Sequence, residues 1–245
     1  NRNFWVGADG ILFVESAPGV DGSMRLFEPA GNEADMCGNG LRCVAAFLMK
    51  KLGKGEVDVL TRDGVKHVVR NHDEFTVDMG PVRTMRKDLA KYVSDKGGPD
   101  DSMLRFHVTI SGIPTTGSIL NTGEPHIVVM TDDLDAADME SIGKEVNSDR
   151  ARFPEFVNIN LVKVLGPHDI AVRTYERGVF RETLACGTGT TACACAALML
   201  GLVQAGPVKV HARGGDLTIG LHDDGRASMT GPAVEVYEGR VRVKV

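Results

Sequence analysis

The chain alternates short apolar runs with glycine-rich or polar breaks far more often than it sustains a helical period. In segments 57–61, 65–70 and 75–79 apolar residues recur at or near every second position, which predicts strands with one buried face. Asn71-His72-Asp73 supplies a turn between the last two. Segments 106–110, 126–130, 158–164 and 170–175 read as a second group of strands, with Gly166-Pro167-His168-Asp169 as a hairpin-like link. Segments 208–212, 217–221, 227–230 and 234–245 complete the set. An acidic stretch, 132–140, reads as the solvated start of a helix.

Two segments break the strand pattern, and they resemble each other. In 37–52, Leu41, Val44, Leu48 and Leu52 recur at helical spacing, and Gly53 stands where a helix would end. In 186–202, Ala192, Cys193, Ala196, Ala197 and Leu200 keep a similar period. Each helix is introduced by Glu-x-x-x-Cys-Gly-x-Gly, once from Glu33 to Gly40 and again from Glu182 to Gly189. The duplication predicts two structurally equivalent halves. The polar, turn-rich segment 84–102 is the natural place for their boundary.

Composition narrows the function. The 245 residues are 42% hydrophobic and 25% charged, a globular mixture long enough for one large or two ordinary domains. No stretch approaches the apolar length needed to span a bilayer. A net charge of -5, with Lys and Arg scattered, gives no footprint for nucleic acid and points to a small-molecule partner. Asn1 to Val6 carry no basic segment followed by an apolar run, so a cytoplasmic location is expected. Five cysteines at irregular spacing argue against a disulfide framework, and neither Cys-x-x-Cys nor a His pair surrounds them, so no metal site is expected.

The paired Cys-Gly-x-Gly carries the chemistry. A cysteine just ahead of a helix meets unpaired N–H groups and the positive end of the helix dipole, which predicts a stabilised thiolate able to act as a base near neutral pH. Glycines after each cysteine let a substrate approach the backbone, whose amides can hold a carboxylate. Inverting an amino acid's α-carbon without a cofactor requires one group to remove a proton from one face and another to deliver a proton to the other. Two cysteines from two related halves meet that need, and the amides around them would stabilise the negative charge that develops as the α-proton leaves.

The segments Asn32-Glu33-Ala34-Asp35-Met36-Cys37-Gly38-Asn39-Gly40-Leu41-Arg42-Cys43, and Tyr175-Glu176-Arg177-Gly178 through Glu182-Thr183-Leu184-Ala185-Cys186-Gly187-Thr188-Gly189, closely resemble the diaminopimelate epimerase family. Gly123-Glu124-Pro125-His126 and Val157-Asn158 resemble two further motifs in the right order, so the resemblance covers nearly the whole chain. It implies an α/β (α+β) fold of two similar domains, each a mostly antiparallel sheet wrapped around a central helix, with the site in the cleft between them. The domains would span 1–84 with a returning strand at 236–245, and 85–235. The implied activity is pyridoxal-phosphate-independent epimerisation, from LL- to meso-diaminopimelate in lysine biosynthesis, with no cofactor. The partner is a small amino-acid substrate, and a homodimer is compatible with the fold.

Carried over by position, the resemblance makes Cys37 and Cys186 the catalytic pair, with His126 and Glu176 assisting proton transfer. The backbone of Gly38, Asn39, Gly187 and Thr188 would cradle the substrate carboxylate. Asn158 and Arg177 would grip the far end of diaminopimelate. Glu28 and Glu124 depart from the family pattern, standing where asparagines contact that far end. An acidic side chain there repels a distal carboxylate unless Arg177 or protonation offsets it. The departure points to a substrate with a distal cation, such as histidine, lysine or ornithine, or to stronger reading of the distal ammonium of diaminopimelate. Gly178-Val179-Phe180-Arg181 is one residue longer than the usual connection, and the family's opening strand has no counterpart in the chain.

Other features have plainer readings. Cys43, Cys193 and Cys195 lie inside the predicted helices and read as small buried hydrophobes. His67, His72, His107, His168, His211 and His222 show no ligand spacing. Gly187-Thr188-Gly189-Thr190-Thr191-Ala192 formally fits a dinucleotide fingerprint, but the preceding Arg181-Glu182-Thr183-Leu184-Ala185 is too polar for the buried strand that fingerprint follows. The rival functions are a racemase of a basic amino acid on the same architecture and a non-catalytic amino-acid binder.

Overall fold

The computed structural model describes residues 10–27, 31, 33–34, 36–98 and 101–240. The chain begins with β1 (Ile11–Glu15), β2 (Gly22–Phe27), β3 (Glu33–Ala34), α1 (Gly38–Leu52), β4 (Glu56–Thr61), β5 (Gly64–Asn71) and β6 (Glu74–Pro81). A one-turn helix, α2 (Arg86–Leu89), leads to β7 (Phe106–Ile110), β8 (Ile113–Asn121), β9 (Pro125–Met130) and α3 (Met139–Ser148). Then follow β10 (Asn158–Gly166), β11 (Asp169–Glu176), β12 (Arg181–Thr183), α4 (Gly187–Met199), β13 (Val208–Ala212), β14 (Gly215–Leu221) and β15 (Arg226–Pro232). Among the described residues no helix is long and apolar enough to cross a membrane.

Strand pairing repeats one unit twice. In the first copy β1 pairs antiparallel with β2, β2 pairs parallel with β4 through the crossover helix α1, and β5 and β6 follow as hairpins. In the second, β10 pairs antiparallel with β11, β11 pairs parallel with β13 through α4, and β14 and β15 follow as hairpins. The short strands match too: β3 adds to β2 and β12 to β11. A parallel pair needs a crossover, and each copy uses its Cys-Gly-x-Gly helix for it. The copies join where β6 pairs antiparallel with β15, and β9, β8 and β7 extend the second copy at its outer edge.

The helices differ in how they are covered. Every residue of α4 from Gly187 to Ala197 is buried, because its Gly, Ala, Thr and Cys side chains are small enough for strands to close around it. Helix α1 is amphipathic: Leu41, Val44, Ala45, Leu48 and Met49 face the core while Phe47 is 49% exposed. Gly53, at φ 68°, caps it by donating its N–H to Met49 O, and Lys50 and Lys51 complement the carboxyl end of its dipole. Both helices sit in one continuous core with Val57, Val59, Val68, Val77, Val208, Val210, Ile219 and Met229. A second core lies behind β8–β11, where α3 packs with Ile119, Ile127, Ile159 and Tyr175.

The turns at 71–73 and 166–169 form as expected, the first with His72 at φ 57°. Other expectations change. Cys43 is exposed, because its position on α1 falls on the solvent face. Helix α4 stops at Met199, where the turn through Gly201 at φ 68° diverts the chain. The strand expected over 234–245 is not formed at 233–240, and 241–245 lie outside the described residues. In 84–102, Leu89 and Val93 are buried in the second core, which attaches this segment to the second half. Strands β1, β2 and β8 escape the sequence pattern; β8 hides behind Pro114, Thr115, Thr116, Gly117 and Ser118, which weaken its apolar alternation.

Candidate active site

Strand alternation sorts β9, β10 and β11 into two faces. Ile127, Ile159 and Tyr175 point toward α3. The intervening positions face α4: Val128, Val162 and Val172 deep in the core, and His126, Asn158, Asn160, Thr174 and Glu176 toward the end where α4 begins. Register fixes this cluster, since His126 lies opposite Asn158, and Asn160 opposite Thr174.

The two cysteines are the N-cap residues of α1 and α4, both in extended backbone conformation. Both are free thiols, Cys37 partly buried and Cys186 buried. Their helices meet amino end to amino end. A Cβ placed on Gly187 would lie 3.3 Å from Gly38 Cα and 3.1 Å from Met229 Sδ, and one on Gly38 would lie 2.7 Å from Met229 Cε. These glycines therefore let the two helix starts close on each other over Met229, a requirement beyond the substrate approach expected of them. Asn39 Nδ2 reaches across to donate to Ala185 O at 3.4 Å, and Asn39 Oδ1 accepts from Arg42 Nη1 at 3.1 Å. Arg42, buried, also donates to Pro232 O at the end of β15.

The thiols are not lowered as the helix dipole alone would predict. Burial pushes Cys37 up, opposed by the Gly40 N–H that its Sγ accepts at 3.3 Å, and the Glu176 carboxylate raises it further. Burial pushes Cys186 well above the ordinary thiol range, and Glu176 adds to this both by its charge and by accepting a hydrogen bond; Thr188 pulls the other way. Desolvation and one shared carboxylate outweigh the cap amides. Glu176 is thus charge-coupled to both sulfurs, and Thr183 Oγ1 donates to it.

His126 is fully buried, with Nε2 3.0 Å from Thr188 Oγ1 and 3.4 Å from Asn158 Nδ2, and Nδ1 3.1 Å from Asn160 Nδ2. Burial first, and the charge of Arg177 second, hold its pKa at about 3, so the ring is neutral. Thr188 Oγ1 lies 3.4 Å from Cys186 Sγ, which links the histidine to that sulfur. Thr122 Oγ1 donates to Thr188 O at 2.8 Å, clamping the β8–β9 turn to the start of α4.

Arg177, just past β11, is held by its backbone N–H donating to Asn158 Oδ1 at 2.8 Å. Its Nε donates to Glu124 Oε2 at 2.8 Å, its Nη2 donates to the same oxygen, and its Nη1 donates to Glu155 O at 2.8 Å. The guanidinium also lies over the Tyr92 ring, 5.4 Å from its centre. Glu124 and Arg177 form a partly buried ion pair, so the acidic departure is neutralised by the arginine beside it.

Cys37, Cys186, Glu176, His126, Gly38, Asn39, Gly187, Thr188, Asn158, Arg177 and Glu124 therefore belong to one connected region. Glu28 lies outside the described residues. Sequence reasoning missed Asn160, Thr174, Thr122, Arg42 and Met229. Asn160 and Thr174 had a signal, being polar residues at inward positions of otherwise apolar strands; the other three had none. Two thiols at opposed helix starts, each able to serve as acid or base, with amide donors between them, can exchange a proton at one centre from two directions.

The family model described as diaminopimelate epimerase matches residues 1–85 and 118–236. Curated diaminopimelate epimerases are similar to this chain: that of Pseudomonas paraeruginosa is 37% identical, covering 99% of this chain and 87% of its own. That of Methanocella arvoryzae is 36% identical, covering 99% and 84%. Among solved structures, a PhzF-family phenazine biosynthesis protein of Bacillus anthracis aligns with a TM-score of 0.67 at 17% identity, over 97% of this chain and 86% of that one. A hydroxyproline epimerase of Agrobacterium vitis aligns with a TM-score of 0.66 at 17% identity, over 92% and 74%. The solved structures share the fold, while the family match and the curated relatives, spanning both cysteine loops, place this chain in the diaminopimelate epimerase family.

Proposed function

We propose that this protein is an isomerase that converts LL- to meso-diaminopimelate in lysine biosynthesis, without pyridoxal phosphate, by two-cysteine acid/base chemistry. One observation carries the reading: two Cys-Gly helix starts touch through their glycines while both thiols feel the same carboxylate. Cys37 and Cys186 exchange roles as base and acid, and the amides of Gly38, Asn39, Gly187 and Thr188 hold the α-carboxylate. Because both thiols are raised, the positive α-ammonium of the substrate favours loss of a thiol proton once it binds. Glu176 and His126 support the exchange, and Asn158 and Arg177 face the far end of the substrate. In this reading the enzyme is cytoplasmic, its halves are residues 1–84 with 236–245 and 85–235, and their meeting line is the β6·β15 pair.

A second reading, racemisation of a basic amino acid, is favoured by the Glu124–Arg177 pair, since Glu124 already occupies Arg177 donors that a distal carboxylate would use. Incubation in deuterium oxide with LL-diaminopimelate, lysine, ornithine and histidine separates the cases. Inversion with α-deuteration of diaminopimelate alone supports the first, inversion of only the basic amino acids replaces it with the second, and no α-exchange on any of them leaves a binder.

A further inference from the structure

Asn160 determines which nitrogen of His126 carries the proton. Its Oδ1 accepts from Thr174 Oγ1 at 2.9 Å, and its Nδ2 donates to Ile127 O at 3.0 Å, so the amide cannot be reversed without setting two oxygens against each other. The second Nδ2 hydrogen faces His126 Nδ1 at 3.1 Å. Nδ1 is therefore an acceptor, and the neutral ring is protonated on Nε2. Asn158 is oriented as well, its Oδ1 accepting from Arg177 N, so its Nδ2 at 3.4 Å faces Nε2 as a second donor and is not its partner. The Nε2 proton goes to Thr188 Oγ1, 3.0 Å away. With its oxygen accepting from His126, the Thr188 hydroxyl has its own hydrogen left for Cys186 Sγ at 3.4 Å.

We propose that the Thr188 side chain is a positioning residue: held by His126, its hydroxyl donates to the Cys186 sulfur and supports that sulfur as a hydrogen-bond acceptor, a device with no counterpart at Cys37 among the described residues. At the equivalent place after Cys37 stands Asn39, whose side chain is engaged with Ala185 O and Arg42. Cys37 is served by the Gly40 amide, and the matching Gly189 amide acts on Cys186. The two sulfurs have a helix amide each and the Glu176 carboxylate in common, and the Thr188 hydroxyl is what sets Cys186 apart within a symmetric frame. Cys186 has an arm for each protonation state, Glu176 accepting from the thiol and Thr188 donating to the thiolate. Acting on Cys186 are Glu176 from β11 and, on α4, the Gly189 amide and Thr188, with His126 of β9 behind Thr188; Arg177 acts on His126. No proton leaves His126 or Thr188 in either direction of turnover.

The inference rests on Cys186 being one of the two exchanging groups, yet its test needs no substrate and so stands apart from the choice of amino acid. Iodoacetamide labelling across pH, read separately for the Cys37 and Cys186 peptides by mass spectrometry, is compared in the wild type, Thr188→Val and Thr188→Ser. In Thr188→Val, Cys186 should label about tenfold more slowly at a given pH, with its midpoint displaced toward alkali, because a hydrogen bond to a charged sulfur is lost. Cys37 should keep its profile, and Thr188→Ser should restore Cys186. An unchanged Cys186 profile in Thr188→Val, failure of serine to restore it, or an equal displacement of Cys37 overturns the proposal. Should Thr188→Val not fold, nitrogen-15 shifts of His126 in the wild type decide it: protonation on Nε2 is expected, and protonation on Nδ1 refutes the arrangement.

Discussion

At the scale of single residues, the site sets burial against charge. Cys37 and Cys186 sit where helix amides favour a thiolate, yet desolvation and Glu176 move both the other way. Activity at limiting substrate should therefore rise from neutral pH into mild alkali as the thiolate forms. Cys37→Ala and Cys186→Ala should each lose inversion of the α-carbon by about 10²–10⁴-fold, the usual weight of a positioned acid or base. Retention of full activity by either variant in a chiral chromatographic assay would end the two-base reading. His126 gives a stability prediction with a definite sign. Its native pKa of about 3 lies below the unfolded value of about 6.5, so between these limits the unfolded chain binds a proton that the folded chain refuses. That contribution is intact above the upper limit and is lost as the pH falls through the window. The urea midpoint of the wild type should drop more steeply across this range than that of His126→Gln; parallel slopes would remove the argument.

At the scale of elements, the back of the sheet controls the front. Helix α3 approaches β11 through Gly143, where a Cβ would run into the Tyr175 ring. Asn147 locks the same helix in place, donating to Gly143 O and Val157 O and accepting from Val157 N. Tyr175 lies between Thr174 and Glu176, so a displacement of its ring reaches the site through one strand. Gly143→Ala should cost about 1–3 kcal/mol by overpacking, measured by urea unfolding. It should also lower kcat/KM, although α3 contributes no side chain to the cysteine region. A destabilised variant with wild-type kcat/KM would show that front and back are uncoupled.

At the scale of the whole molecule, the two copies of the unit are not independent. β6 and β15 are hydrogen-bonded along most of their length, and both crossover helices share one apolar core that includes Met229 beneath the facing glycines. Separating the halves would expose that core and unpair two strands, which costs more than either half retains alone. Calorimetry should therefore give one cooperative transition, with calorimetric and van't Hoff enthalpies in agreement. Two resolved transitions would mean that the seam is weaker than its geometry implies.

The sequence by itself determined the repeated Cys-Gly-x-Gly starts, the presence of both helices and the apolar period of α1, the turns at 71–73 and 166–169, and the family. Each depends on a local rule: a cap, a glycine, an alternation or an ordered motif. It could not determine that Gly38 and Gly187 face each other, that Asn160 orients His126, that Glu124 finds Arg177, or that both thiols are raised rather than lowered. Those outcomes depend on which residues from distant strands and helices become neighbours, and on how much water is removed around them. Only the tertiary structure decides them, because burial and pairing are properties of the assembled sheet and not of any segment within it.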